Sequence, residues 1–258
     1  MKHVVLFSGG AASYCAAKRV IERHNREDIT LLYCDTKSED EDLYRFLDDC
    51  ESVLGRITRI AEGRDIWQVF KDERFLGNHL VDPCSKILKR QFGDKYINHH
   101  FHAPLTVLYV GFDWNEGHRF DTAKERRKPF VVEAPLMEKP LLEKCDMLEI
   151  IKADGIKPPR LYEMGFAHNN CGGFCIKAGI SHYVHLYRVW PERYLEFERK
   201  EQEMRDFLGK DISILNDRRG GKRKLMTLRV LRARIEAGEK LPEYDWGGCG
   251  CFVEPEGE

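Results

Sequence analysis

The chain has 258 residues, with 42 Lys plus Arg against 43 Asp plus Glu, 42% hydrophobic residues and nine cysteines. Such a length buries a sizeable core without disulfide stapling, and no stretch approaches the roughly 18 consecutive apolar residues of a membrane span. A net charge of −1 gives no global nucleic-acid signature, so any basic surface has to be local.

The opening Met1-Lys2-His3-Val4-Val5-Leu6-Phe7 carries too short an apolar run for a secretory leader. This predicts a reducing, cytoplasmic setting in which the cysteines serve as thiols or metal ligands. Val4 to Phe7 reads as a buried parallel strand, followed by a glycine turn and a helix over Ala11 to Ile21. Ile29 to Cys34 is a second strand. From Ser38, Leu43, Phe46, Leu47, Cys50, Val53 and Leu54 recur at helical spacing, behind an acidic start that suits a helix N-terminus. Arg56 to Ala61 is a third strand, Ile66 to Phe75 a helix or loop, and a helix runs through Lys86, Lys89 and Arg90. Thr106 to Phe112 and Phe130 to Glu133 are the next strands, separated by a charged loop, and Met147 to Ala153 is a short helix.

Beyond about residue 180 strand signals vanish, leaving helices over Pro191 to Leu208 and Leu225 to Ala237. The alternation predicts an α/β fold with a doubly wound, mostly parallel Rossmann-like sheet. It divides the chain into a nucleotide-binding domain over 1–180 and a helical segment over 181–258.

Ser8-Gly9-Gly10-Ala11-Ala12-Ser13 lies between the first strand and the first helix. There, backbone N–H groups and the helix dipole favour an anion, and two glycines let main chain approach a phosphate. Any strand-to-helix turn also uses glycine, so the turn alone leaves a structural role open. The stretch resembles the PP-loop, S-G-G-x-x-S, of the adenine nucleotide α-hydrolase superfamily. That superfamily includes N-type ATP pyrophosphatases, PAPS reductases, and thiolation enzymes acting on tRNA and DNA.

Further segments follow in the family's order. Asp35-Thr36 is similar to its Asp-Thr near the nucleotide, and Pro83-Cys84-Ser85-Lys86-Ile87-Leu88-Lys89-Arg90 to its Cys-and-basic segment. The run from Val110-Gly111 to Arg119 is similar to its strand-end glycine motif, and Pro135-Leu136, Leu161 to Phe166 and Cys171 to its later series. Two departures stand out. Ala12 occupies the loop position where many ATP-using members carry Asp, and the Glu-Cys-Gly-x-His segment of PAPS reductases has no counterpart.

The resemblance implies ATP with Mg²⁺, held by Ser8, Gly9, Gly10, Ala11, Ala12, Ser13, Asp35, Thr36 and Gly111. Lys86, Lys89 and Arg119 would stabilise charge, and Cys84 would be a catalytic or sulfur-carrying thiol or a structural one. The implied reaction is adenylylation of a substrate for sulfur transfer. Sulfonucleotide reduction and a non-catalytic binding module with structural zinc are the alternatives.

Cys171-Gly172-Gly173-Phe174-Cys175 and Cys249-Gly250-Cys251 form two glycine-flanked pairs whose four thiolates suit zinc or an iron-sulfur cluster. The resemblance favours a [4Fe-4S] cluster, which would tie the C-terminal segment back onto the α/β domain. Cys15, Cys34, Cys50 and Cys145 read as packing thiols.

The stretch from Arg218 to Arg234 holds eight basic residues and no acidic one, against an acidic Glu39-Asp40-Glu41-Asp42 elsewhere. It could neutralise the phosphates of a tRNA or DNA acceptor or form a solvated face. A sulfur-donor protein is a further implied partner. His99-His100-Phe101-His102 reads as a loop with ordinary histidines, and His168 and His182 as groups beside the first cysteine pair.

Overall fold

The computed structural model describes residues 1–169, 171–217 and 224–242. Five strands, β1 (Lys2–Leu6), β2 (Ile29–Asp35), β3 (Ile57–Ala61), β4 (Thr106–Val110) and β5 (Val131–Glu133), form one parallel sheet in the order β3-β2-β1-β4-β5. The fold is α/β and consistent with a Rossmann-like architecture. Strand alternation sends neighbouring side chains to opposite faces. Val5, Leu31 and Tyr33 meet α1 (Ala11–Arg23), α2 (Glu41–Leu54) and α6 (Lys144–Ala153) on one side. Val4, Leu6, Leu32 and Leu108 meet α4 (Phe92–His100) and α5 (Gly117–Arg126) on the other.

A third core lies beyond the sheet. It joins Trp67 and Phe70 of α3 (Ile66–Asp72), Cys84, Leu88 and Leu161 of α7 (Arg160–Glu163) to α8 (Ile180–Val189), α9 (Pro191–Leu208) and α10 (Leu228–Glu236). Its centre is Phe174, fully buried and stacked on Phe197 with ring centroids 3.8 Å apart. The segment around the first cysteine pair is thereby anchored on α9. No helix among the described residues is long and apolar enough to cross a membrane.

Four local expectations are corrected. A two-stranded antiparallel hairpin, β6 (Leu215–Asp217) with β7 (Lys224–Met226), stands where no strand is expected, and it shortens the predicted helix from Leu225 to one starting at Leu228. Thr227 caps that helix by accepting the Val230 N–H at 3.2 Å, which fixes the start. The charged loop between the fourth and fifth strands folds as α5, which buries only Ala123 and so shows little hydrophobic periodicity. His99 and His100 end α4, and His100 Nδ1 bonds the Tyr96 carbonyl oxygen at 2.9 Å. Cys145 is exposed in the first turn of α6. Cys15, Cys34 and Cys50 are buried, and burial pushes the Cys15 and Cys34 thiols up to about 12 and that of Cys50 higher still.

Glu201 of α9 ties the hairpin to α10. Its carboxylate is 1% exposed and accepts the Ile214 N–H at 2.9 Å and the Leu228 N–H at 2.6 Å. Burial pushes it up to about 7. Folded Glu201 therefore keeps its proton to about pH 7, whereas the unfolded carboxyl releases it near 4.5. The folded state binds the extra proton in between, so stability falls as pH rises through that window and levels off above it. The contribution is at most about 3 kcal/mol. Urea unfolding at pH 5 and pH 7.5 is expected to show this loss in the wild type and a flatter dependence in Glu201→Gln.

Candidate functional site

The loop after β1 is held by its own side chains. Ser13 Oγ donates to the Gly10 carbonyl at 2.9 Å and accepts the Gly10 N–H at 3.2 Å, and Ser8 Oγ donates to Ser13 Oγ at 3.1 Å. Gly9 takes a φ of +75°, and a Cβ there would stand 2.4 Å from Leu43 Cδ1. Distant residues complete the loop. Asn169 Nδ2 donates to the Gly9 carbonyl at 3.0 Å, and Ala11 N–H donates to the Tyr162 hydroxyl oxygen at 3.0 Å.

The strand order reverses between β1 and β4, which opens a crevice at the carboxyl ends of these strands. A cavity of about 280 Å³ lies there, lined by Ser8, Gly10, Ala12 and Ser13 of the loop and by Gly111 at the end of β4. Lys89, Arg119 and Lys144 also face it. Three cations and the N-terminus of the 13-residue α1 converge on one space, beside the acidic Asp113 and Glu116, an arrangement suited to attracting an anion. Its size sits near the lower end of ligand pockets, about 300–1,000 Å³.

Each cation is oriented. Arg119 pairs with Glu116 and lies 4.7 Å above the Phe112 ring, while Lys144 lies 5.5 Å from the Tyr162 ring centre. Lys89 is buried and pairs with Glu39 at 3.1 Å. His168, an exposed residue, also lines the cavity. Crowding by surrounding protein, followed by the charges of Lys144 and Arg119, pushes its imidazole down to about 4, so it is neutral at pH 7.

The remaining expected site residues fall elsewhere. Gly9 and Ala11 frame the loop without lining the cavity. Asp35 Oδ1 accepts from Tyr44 Oη and the Lys37 N–H, both at 2.8 Å, and its other oxygen pairs with the Lys37 ammonium at 2.9 Å. It therefore does not face the cavity. Thr36 points to Glu39, its Oγ1 donating at 3.0 Å.

Cys84 and the π-helix Ser85–Gln91 that follows it place the three residues of this segment, Cys84, Lys86 and Lys89, differently. Lys89 reaches the anion cavity. Lys86 lines a separate cleft of about 600 Å³ with Arg64, Phe75 and Val81. Cys84 lines a third cavity of about 20 Å³ together with Cys171 and Cys175. Cys171, Gly172 and Gly173 adopt φ values of +50°, +59° and +78°, a left-handed run that Arg193 closes by donating from Nε to the Gly172 carbonyl at 3.3 Å. Tyr183 Oη donates to the Cys175 carbonyl at 3.0 Å, and His182 Nε2 bonds the Gly173 carbonyl at 2.9 Å. Among the described residues no group of three or more His, Cys, Asp or Glu side chains is arranged to hold a metal ion. Cys249 and Cys251 lie outside the described residues.

Within the described residues, many members of both charged runs are tied into ion pairs. Glu39 and Asp40 are buried, Asp40 pairing with Arg160 and Asp42 with Arg45. In the basic run, Arg232 pairs with Glu198 and Glu236, Arg234 with Asp217 and Glu239, and Arg229 lies 3.6 Å from Glu198. Residues 218–223 lie outside the described residues.

Lys144 and Asn169 are functional candidates that the sequence leaves unmarked, whereas Asp113, Glu116, His168 and Glu39 stood in motifs or runs without this role. Tyr162 was visible only as part of a motif without a role. Replacing it with Phe leaves the Ala11 N–H without its acceptor, at a cost of about 1 kcal/mol. Tyr162→Phe is expected to weaken anion binding several-fold, read by ligand titration, with little change in Tm. The chain matches no protein-family model and no curated protein.

Proposed function

We propose that the chain is an ATP-dependent adenylylating enzyme of the PP-loop kind, with an adenine nucleotide α-hydrolase-like fold. The observation that carries this reading is the convergence of the first loop, Lys89, Arg119 and Lys144 on one cavity at the strand-order reversal. The triphosphate occupies that cavity. An oxygen of the acceptor attacks the α-phosphorus and forms a new P–O bond while the bond to the bridging oxygen breaks and pyrophosphate leaves. The cations and the α1 N–H groups stabilise the charge on the transferring phosphoryl group. Asp113 and Glu116, which line the cavity, would supply oxygen ligands for Mg²⁺. A sulfur donor then displaces AMP from the adenylylated acceptor.

A thiolate-bound centre fits the donor chemistry beside this site, since Cys84, Cys171 and Cys175 share one cavity with apolar walls from Ile66, Phe174 and Ile176. Cys171 and Cys175, with Cys249 and Cys251, would hold a [4Fe-4S] cluster or zinc. A cluster would supply a coordination point for sulfur. The acceptor is a nucleotide or nucleic acid, with the basic run from Arg218 to Arg234 as its contact; Lys224 and Arg229 are exposed members of its described part.

A sulfonucleotide such as PAPS is the second reading, favoured because Ala12 carries no carboxylate and Asp35 is engaged by Tyr44 and Lys37 outside the cavity lining. Pyrophosphate release from ATP supports the first reading. Sulfite release from PAPS in the presence of a dithiol reductant, with no pyrophosphate from ATP and any RNA, DNA or nucleotide acceptor, would replace it.

A further inference from the structure

We infer that Glu39 is a positioning residue that couples occupancy of the anion cavity to the backbone of Cys171. The inference rests on the anion-site reading above. Glu39 follows the end of β2, and its carboxylate is 2% exposed. One oxygen accepts from Lys89 Nζ at 3.1 Å and from Thr36 Oγ1 at 3.0 Å, and the other accepts the Cys171 N–H. Among the described residues, Cys171 is one of three outside glycine with positive φ, a conformation that persists only when its surroundings hold it. Glu39 supplies that hold from 132 residues away in sequence.

Lys89 makes the connection directional, because it lines the anion cavity and the cysteine cavity alike. A phosphate arriving beside Lys89 competes with Glu39 for the ammonium. A Glu39 carboxylate relieved of part of that charge accepts more strongly from the Cys171 N–H. Nucleotide binding therefore tightens the left-handed turn that presents Cys171, and Glu39 holds the thiol side of the site more firmly when the phosphate side is filled. No covalent step is involved.

Hydrogen–deuterium exchange on the full chain tests this, with ATP, PAPS or pyrophosphate as the added ligand and binding measured in parallel. Ligand is expected to slow exchange across residues 171–175 at least about fivefold, the low end of allosteric coupling. In Glu39→Gln, which keeps the shape and removes the charge competition, the ligand effect is expected to fall below about twofold while ligand still binds. A purely structural Glu39 would alter the unliganded exchange but leave the ligand effect intact, and that result overturns the proposal. Where the variant does not fold, the wild-type arm decides. Ligand binding with unchanged exchange at 171–175 overturns the coupling alone, whereas failure of all three ligands to bind overturns the anion-site reading together with it.

Discussion

Lys89→Ala is expected to destabilise the protein by about 3–5 kcal/mol, because it strands the Glu39 carboxylate in a buried position without its partner. Both side chains are nearly inaccessible, 6% and 2% exposed, so water cannot replace the ammonium cheaply. The same change removes the deepest of the three cavity cations, and a charge-assisted contact of this kind contributes about 1.5–3 kcal/mol, or roughly tenfold to hundredfold in affinity. Urea unfolding and ligand titration separate the two losses. Removing Glu39 as well, in Lys89→Ala/Glu39→Ala, is expected to recover part of the stability, since neither charge is then stranded, but none of the affinity. If Lys89→Ala binds ATP as tightly as the wild type, Lys89 does not serve the anion cavity and the site is wrongly located.

The parts of this molecule that were legible in sequence are those where one physical demand dominates. Val4 to Phe7 had to be a doubly covered strand because nothing in it tolerates water, and it ends at a glycine whose +75° φ the turn requires. The five parallel strands and their core helices follow from such runs.

What stayed hidden depends on partners far along the chain. Glu39 looked like one residue of a solvated acidic helix start, and only folding brings Lys89 and Cys171 to it. Arg232 and Arg234 looked like a phosphate-binding stripe until Glu198 and Asp217 arrived from other elements. The hairpin strands are three residues each, and Lys224 and Leu225 are exposed, so they carry no alternation to read. The cavity itself was half visible. Ser8, Gly10, Ala12, Ser13, Lys89, Gly111 and Arg119 meet there, whereas Lys86 of the same short segment lines another cleft and Cys84 borders the cysteine cavity, which Lys89 also reaches.

Gly111→Ala is expected to weaken nucleotide binding tenfold or more by a different route. Gly111 needs no special φ; its reason is contact. A Cβ there would lie 2.8 Å from Ser13 Cα, 2.9 Å from Ser13 N and 3.1 Å from Ala12 C, all main-chain atoms of the first turn of α1. Side chains can rotate away from such a clash, but the backbone can only shift, so the carboxyl end of β4 and the amino end of α1 must part. Overpacking of this kind costs about 1–3 kcal/mol in stability. The larger effect falls on function, because the N–H groups that cradle the anion are the ones displaced. Gly117→Ala, at the start of α5 with open space around the added methyl, is the matched control and is expected to bind as the wild type does. The two losses differ in kind, and salt distinguishes them. Lys89→Ala removes a charge and so flattens the dependence of affinity on ionic strength, whereas Gly111→Ala keeps every charge and shifts the whole curve without changing its slope. A Gly111→Ala protein with wild-type affinity would mean that the anion is not held by the main chain of this loop.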